Sequence, residues 1–271
     1  MEIDGILIGN DKPCYMIAEI GINHNGDIAL AKKLIDVATN AGANAVKFQK
    51  RDLESIYQQK ILENPSLDSQ GTEILIDVLK NVEFGEDDFQ EIVNYCKEKK
   101  ITFLCTPWDI PSANFLEKLD VPAYKIASAD LTNLPLIAHI SKLNKPMIIS
   151  TGMSEMEEIE RTVDFVKEKN TTFSLLHCNS TYPSPPELLN LSLIPVLREK
   201  FNVPIGYSGH ESSILPSITA ANMGAVIIER HITLDKTMEG LDQAASLEPD
   251  EFKELIKKIN WFKEKKSFDH P

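Results

Sequence analysis

A small set of polar residues in this chain stands where it could do chemistry together. Glu19, Lys47, Gln49, Thr106, Lys125, Ser128 and Ser150 each fall at or just after the end of a short apolar run, as do His177, Asn179, Tyr182, Ser208, His210, Glu229 and His231. Lys47 and Gln49, Ser208 and His210, and Glu229 and His231 are two residues apart. Side chains at that spacing share one face of a strand. If that face is inward, one cavity receives them all. Burying Lys47 and Lys125 is costly unless anions compensate. With Thr106, Ser128, Ser150, Asn179 and Ser208 around them, they would suit a phosphate and a carboxylate. The plainer alternative pairs the lysines with Glu19 and Glu229 as structural ion pairs and leaves the hydroxyls to satisfy backbone groups. His210 and His231 end neighbouring runs and could share a divalent metal with positions left open for water and substrate. A histidine can equally be a hydrogen-bonded core residue, the plainer account of His24, His177 and His139. Asp242 lies on the loop after the last run, within reach of the same place, or else caps a turn.

The elements that must position these residues follow from the apolar pattern. Eight short runs, nearly continuous in apolar residues, read as strands covered on both faces. They are Tyr15–Ile20, Ala45–Phe48, Thr102–Cys105, Ala123–Ala127, Pro146–Ser150, Phe173–Cys178, Val203–Gly206 and Ala225–Glu229. Helical patterns lie between and after them. They are Asp27–Asn40, Glu86–Lys99, Pro111–Leu119, Leu134–Leu143, Ser154–Glu168, Glu187–Lys200, Ile214–Met223 and Pro249–Lys265. Asp27 is a cap residue, Gly42 a stop, and Ser154 with Glu157 has capping-box spacing. Eight strands alternating with eight helices predict an α/β fold, a (β/α)8 barrel over residues 1–271 as a single domain. A doubly wound sheet is the alternative, but its glycine fingerprint is missing. Residues 1–12 read as an N-terminal β-hairpin turning near Gly9-Asn10-Asp11, placed to plug the barrel's lower end. Residues 51–83 form a long excursion after the second strand, either a substrate loop or a peripheral insertion.

Composition narrows the function classes. With 28 basic and 41 acidic side chains the net charge is −13, which opposes nucleic-acid binding. A few lysines in a cleft can still hold a small anion. No apolar run approaches the roughly 20 residues that span a bilayer. The start, Met-Glu-Ile-Asp, has no secretory character, so the expected location is the cytoplasm. The four cysteines form no CxxC pair and are expected to be reduced thiols.

Ordered stretches sharpen the reading. They are Ala18–Gly26 (AEIGINHNG), Val46–Gln49, Thr106–Asp109 (TPWD), Tyr124–Ser128 (YKIAS), Ile149–Met153 (ISTGM), His177–Pro183 (HCNSTYP), Gly206–His210 (GYSGH) and Glu229–Asp235 (ERHITLD). As a set they resemble the sialic acid synthase (N-acetylneuraminate synthase) family. The resemblance implies condensation of phosphoenolpyruvate with an amino-sugar aldehyde of the N-acetylmannosamine type. It implies that Lys47, Thr106, Lys125, Ser128, Ser150, Asn179 and Ser208 hold phosphoenolpyruvate. It implies further that Gln49, Tyr182 and Asp242 contact the sugar, and that Glu19 and Glu229 stand near the reacting carbons. His210 and His231 match metal ligands, with manganese expected first and magnesium, cobalt or zinc as alternatives. An asparagine that the family sets against the sugar would fall at Asn64 or Asp68. Family members usually carry a C-terminal antifreeze-like domain that supplies an arginine to a partner subunit's site. The sequence stops at Pro271 without one, so a homo-oligomer or a separate protein with that domain is the expected partner. Another aldose, or a non-catalytic barrel acting with a partner, is the alternative function.

Overall fold

The computed structural model describes residues 1–67 and 73–266. Two short strands, β1 (Glu2–Ile3) and β2 (Ile6–Leu7), form an antiparallel hairpin. Eight further strands follow: β3 (Tyr15–Gly21), β4 (Ala45–Lys50), β5 (Thr102–Pro107), β6 (Tyr124–Ile126), β7 (Met147–Ser150), β8 (Phe173–Cys178), β9 (Ile205–Gly209) and β10 (Ile227–His231). All eight are parallel, run in chain order, and close as β10 pairs with β3. This is the predicted barrel, shifted by one to three residues at several strand ends.

Helices α1 (Ile28–Ala41), α2 (Leu53–Ile56), α3 (Gln59–Glu63), α4 (Glu73–Val82), α5 (Glu86–Lys99) and α6 (Ile110–Lys118) precede α7 (Leu134–Ser141), α8 (Met156–Glu168), α9 (Leu193–Phe201), α10 (Leu215–Asn222) and α11 (Pro249–Lys266). The local reasons for α1 are typical of the outer ring. Asp27 Oδ1 accepts from the Ala29 N–H at 2.7 Å, and Gly42 ends the helix at φ 89°. Its buried residues, Ala31, Leu34, Ile35 and Ala38, recur at helical spacing and face the strands. Outward side chains such as Met16, Val46, Phe103, Ile149 and Leu175 meet such helix faces in the main core. A second, inner core fills the N-terminal end of the barrel, where Ile3 and Ile8 lie on Tyr15, Ile17, Leu104, Ile148, Leu176 and Ile227.

Three expectations need correction. The hairpin turns at Asp4 and Gly5, both at positive φ (50° and 76°), which strands this short require; Gly9-Asn10-Asp11 turns the chain afterwards, toward β3. The helix expected over Glu187–Lys200 begins at Leu193, because a single 3-10 turn over Pro186–Leu188 is ended by Asn190 at φ 50°. The cap of α8 is one residue later than Ser154, with the Glu158 carboxylate accepting from the Glu155 N–H at 2.9 Å. The 51–83 excursion is helical over α2, α3 and α4. Leu79 and Val82 of α4 bury against Ile22, on the loop after β3. It therefore packs beside the barrel mouth. Asn64 is an exposed cap whose Oδ1 accepts from Ser66, and Asp68 lies outside the described residues.

Candidate active site

The inward faces of the strands change character along their length. On β3 the inward positions are Tyr15, Ile17 and then Glu19; on β10 they are Ile227, Glu229 and His231. At the C-terminal mouth the polar members of these rows line a cavity of about 200 Å³. Around its wall stand Glu19, Lys47, Gln49, Thr106, Lys125, Ser128, Ser150, Tyr182, Ser208, His210, Glu229 and His231.

The charges interlock. Lys47 Nζ lies 2.8 Å from Glu19 Oε2 and 3.9 Å from Glu229 Oε2, and donates to Thr106 Oγ1 at 3.0 Å. Lys125 Nζ lies 3.3 Å from Glu229 Oε1, which also accepts from Ser208 Oγ at 3.0 Å. All four charged side chains are about 95% buried or more. Burial alone would neutralise both carboxyls. At Glu229 it is outweighed by Lys125 and Lys47, which hold the carboxylate below its ordinary range. At Glu19 burial prevails, reinforced by the neighbouring Glu229 charge, and its pKa is raised. Lys47 is correspondingly held cationic by the glutamates against the cost of burial. Burial pushes Lys125 down. Both alternatives for the lysines thus keep a foothold: they are ion-paired, and they face an open cavity. Ser150 Oγ, Trp108 Nε1 and His231 Nδ1 are buried there without a hydrogen-bond partner.

The imidazoles stand beside this cluster, His231 at the end of β10 in register with Glu19 and His210 just past the end of β9. His210 and His231 have ring centroids 5.4 Å apart. His210 Nδ1 is bonded to the Asn179 carbonyl oxygen at 2.7 Å, which makes Nδ1 the donor and leaves a lone pair on Nε2. That lone pair accepts from the Tyr182 hydroxyl at 2.8 Å, with the two rings stacked. Burial first, and then the charges around it, including Lys47, Arg230 and Lys125, hold the His231 pKa well below its ordinary value. At His210 burial is outweighed by the Cys178 thiol beside it and the Asn179 carbonyl, which raise its pKa. Two imidazoles, one with its Nδ1 proton held from behind, suit a borderline divalent metal whose remaining positions are open. Among the described residues no group of three or more His, Cys, Asp or Glu could hold a metal, so water or substrate oxygen would complete such a site. Behind this wall Arg230 Nη1 meets Glu211 Oε1 at 2.8 Å and Ser217 Oγ at 2.9 Å, fully buried. Glu211 follows His210 and Arg230 precedes His231, so this pair ties the two histidine segments together.

Two expected residues stand apart. Asn179 does not line the cavity: its amide donates to the Leu188 carbonyl at 3.1 Å and accepts from the Thr181 N–H and the Ser184 hydroxyl. The inward position on β8 is Cys178, and His177 faces outward with Nε2 2.7 Å from the Leu189 carbonyl. Asp242 sits at the rim, its Oδ2 3.7 Å from His231 Nδ1. Sequence reasoning missed Trp108, Cys178 and Ser180 on the wall. Cys178 shares the inward face of Leu176, two residues before it, but the sequence of this strand carries no alternation that marks that face. Gly21 shows how tightly the mouth is built. It sits at φ 55° on a register shift, and a Cβ there would approach Gln49 Nε2 and Glu19 Oε1 to 3.2 Å.

Fold and site together define a (β/α)8 enzyme with a polar, mixed-charge mouth. The chain belongs to the NeuB family, whose profile matches residues 34–268. It is 41% identical to N-acetylneuraminate-9-phosphate synthase of Homo sapiens over 94% of this chain and 72% of that protein. It is 39% identical to N,N'-diacetyllegionaminic acid synthase of Campylobacter jejuni over 92% of this chain and 76% of that one. The crystal structure of N-acetylneuraminic acid synthetase from Leptospira borgpetersenii, in complex with citrate, superposes with a TM-score of 0.91 at 35% identity, covering all of this chain and 90% of that one. Among the described residues, no helix is long and apolar enough to cross a membrane.

Proposed function

We propose that this enzyme condenses phosphoenolpyruvate with an N-acetylmannosamine-type amino sugar, giving a nonulosonic acid and phosphate. The observation that carries the reading is one small cavity lined both by two lysines, braced by two glutamates of divergent acidity, and by a pair of imidazoles 5.4 Å apart. Lys47 and Lys125 would hold the phosphate and carboxylate of phosphoenolpyruvate, with Ser150, Ser128, Ser208 and Thr106 supplying hydroxyls. Their work is mostly positioning, aiming the enol carbon at the aldehyde. His210 and His231 would hold a divalent metal, manganese first, with magnesium, cobalt or zinc as alternatives; when bound, it would polarise the aldehyde oxygen. A carbon–carbon bond forms between the enol carbon and the aldehyde carbon. Water then adds at the phosphate-bearing carbon, and phosphate leaves with cleavage of its carbon–oxygen bond. Two carboxyls whose surroundings push their acidities apart divide acid and base work between them. Glu229, ionised, takes the proton of that water at Oε2. Glu19, with its raised pKa, is the proton donor nearer the aldehyde. Gln49 and Tyr182 would line the sugar side, with Asp242 at its rim. The four cysteines are free and buried, which fits a protein working in the cytoplasm.

The test is phosphate release from phosphoenolpyruvate with manganese, with and without N-acetylmannosamine, then with a panel of other aldoses. Release only when sugar and metal are both present is the expected result. Turnover undiminished by exhaustive metal removal would refute the role given to the histidines.

A further inference from the structure

We infer that Arg51, one residue past the end of β4, is a positioning residue that fixes the orientation of the Gln49 carboxamide and so makes Gln49 a donor toward the sugar. The inference rests on the sugar-binding role proposed for the cavity. Gln49 is held at both ends. Its Nε2 donates to Glu19 Oε1 at 3.0 Å, and its Oε1 accepts from Arg51 Nη2. The opposite orientation would set the amide nitrogen against a guanidinium that can only donate. The Arg51 end therefore selects the orientation, and Glu19 Oε1 accepts from the nitrogen that is left. With Oε1 covered and one Nε2 hydrogen spent on Glu19, the group left for a ligand is the second Nε2 hydrogen. The sugar atom it would read must be an acceptor, a hydroxyl or carbonyl oxygen.

Arg51 is itself fixed before any ligand arrives. Its residue is 8% exposed, and its guanidinium lies over the Trp108 ring at 4.4 Å. Its backbone N–H donates to Glu83 Oε1 at 3.0 Å, and its carbonyl accepts from Lys50 Nζ at 3.1 Å. The next residue is anchored too, the Asp52 N–H donating to Asp109 Oδ2 at 2.8 Å. Trp108 lines the cavity wall, so the stack joins the guanidinium to the site without placing it in the cavity. A planar cation that both stacks and donates sideways is a property of arginine rather than lysine.

The experiment uses the full chain with manganese, phosphoenolpyruvate and the best aldose of the panel. Arg51→Met is expected to raise KM for the aldose at least tenfold and leave KM for phosphoenolpyruvate within twofold. In a Gln49→Ala background the same substitution should change aldose KM less than twofold. Arg51→Lys should recover part of the loss, and it carries the test if Arg51→Met fails to fold. An equal loss in the Gln49→Ala background, or a parallel rise in both KM values, would show a merely structural arginine and overturn the inference. A ligand-free readout separates this from the parent reading. The side-chain amide pair of Gln49, identified by NMR through its absence in Gln49→Ala, should exchange slowly with solvent and lose that protection in Arg51→Met. If no aldose supports phosphate release, the proposed function has failed and the amide signal decides alone. Protection unchanged in Arg51→Met overturns the inference; protection lost sustains it.

Discussion

The two ends of the barrel are built from the same strands and could hardly differ more. At the floor, Ile17, Leu104, Ile148, Leu176 and Ile227 close on Ile3 and Ile8 of the N-terminal segment. One inward position further along three of these strands stand Glu19, Thr106 and Glu229, in contact with Lys47 and Lys125. Two residues along a strand is only about 7 Å. The contrast teaches that stability and chemistry are divided along the barrel axis, and that each charge at the mouth is tolerated because an opposite charge is already in place.

The sharpest way to break the contrast is to cut once at each level. Lys125 and Ile148 are register partners on β6 and β7, both buried. Lys125→Met removes a charge that pairs with Glu229 at 3.3 Å. Loss of one partner of a buried charge pair costs about 2–5 kcal/mol. The expected outcome is a rise of about a hundredfold or more in KM for phosphoenolpyruvate, read by steady-state phosphate release. Ile148→Ala should instead cost about 2–5 kcal/mol of stability in urea denaturation, with kcat/KM of the folded fraction within about twofold. If Ile148→Ala damages turnover as badly as Lys125→Met does, the division between floor and mouth is wrong.

The next effect tests a histidine at the mouth that behaves like the floor. His24 is 3% exposed, stacked on Phe84 at 4.0 Å, and its Nδ1 accepts from the Gly26 N–H at 3.2 Å. Burial pushes its pKa down to about 4. An unfolded histidine titrates near 6.5, so between these values the unfolded chain binds the extra proton. Stability is therefore full above pH 6.5 and falls as pH drops toward 4, by about 3 kcal/mol from this residue. Urea midpoints at pH 7.5, 6, 5 and 4.5 should fall less steeply in His24→Phe than in the wild type. Parallel slopes would mean that His24 is not the group responsible.

How much of this was legible in the sequence depended on whether a strand shows a period. The eight strands were readable because they are apolar on both faces and bounded by helix signals. Glu19, Lys47, Lys125 and Glu229 were readable as charges set inside apolar runs. On β8 the run Phe-Ser-Leu-Leu-His-Cys is buried throughout. It gives no alternation by which to choose parity, so the sequence points to Asn179 and passes over Cys178. Arg51 was not legible at all. Its burial depends on Trp108 and Glu83, which the fold delivers from two other segments. The hairpin was misplaced because its first eleven residues hold two turn signals, Asp4-Gly5 and Gly9-Asn10-Asp11, and only pairing decides between them.

That hairpin yields the smallest and cleanest test of the floor. Gly5 sits at φ 76°, and a Cβ built there meets no atom within 4 Å. A Gly5→Ala substitution therefore removes no contact and creates no clash. Its cost is the backbone strain of a left-handed alanine, about 1 kcal/mol. In a chain of this size that corresponds to a melting temperature lower by about 2–4 °C. Ile3 and Ile8 remain seated on the floor residues, and the mouth is untouched, so kcat and both KM values should match the wild type. A melting shift with altered KM would show that the floor communicates with the mouth. A shift near zero would show that the hairpin opens without disturbing the barrel, and that Ile8 and the strands close the floor without it.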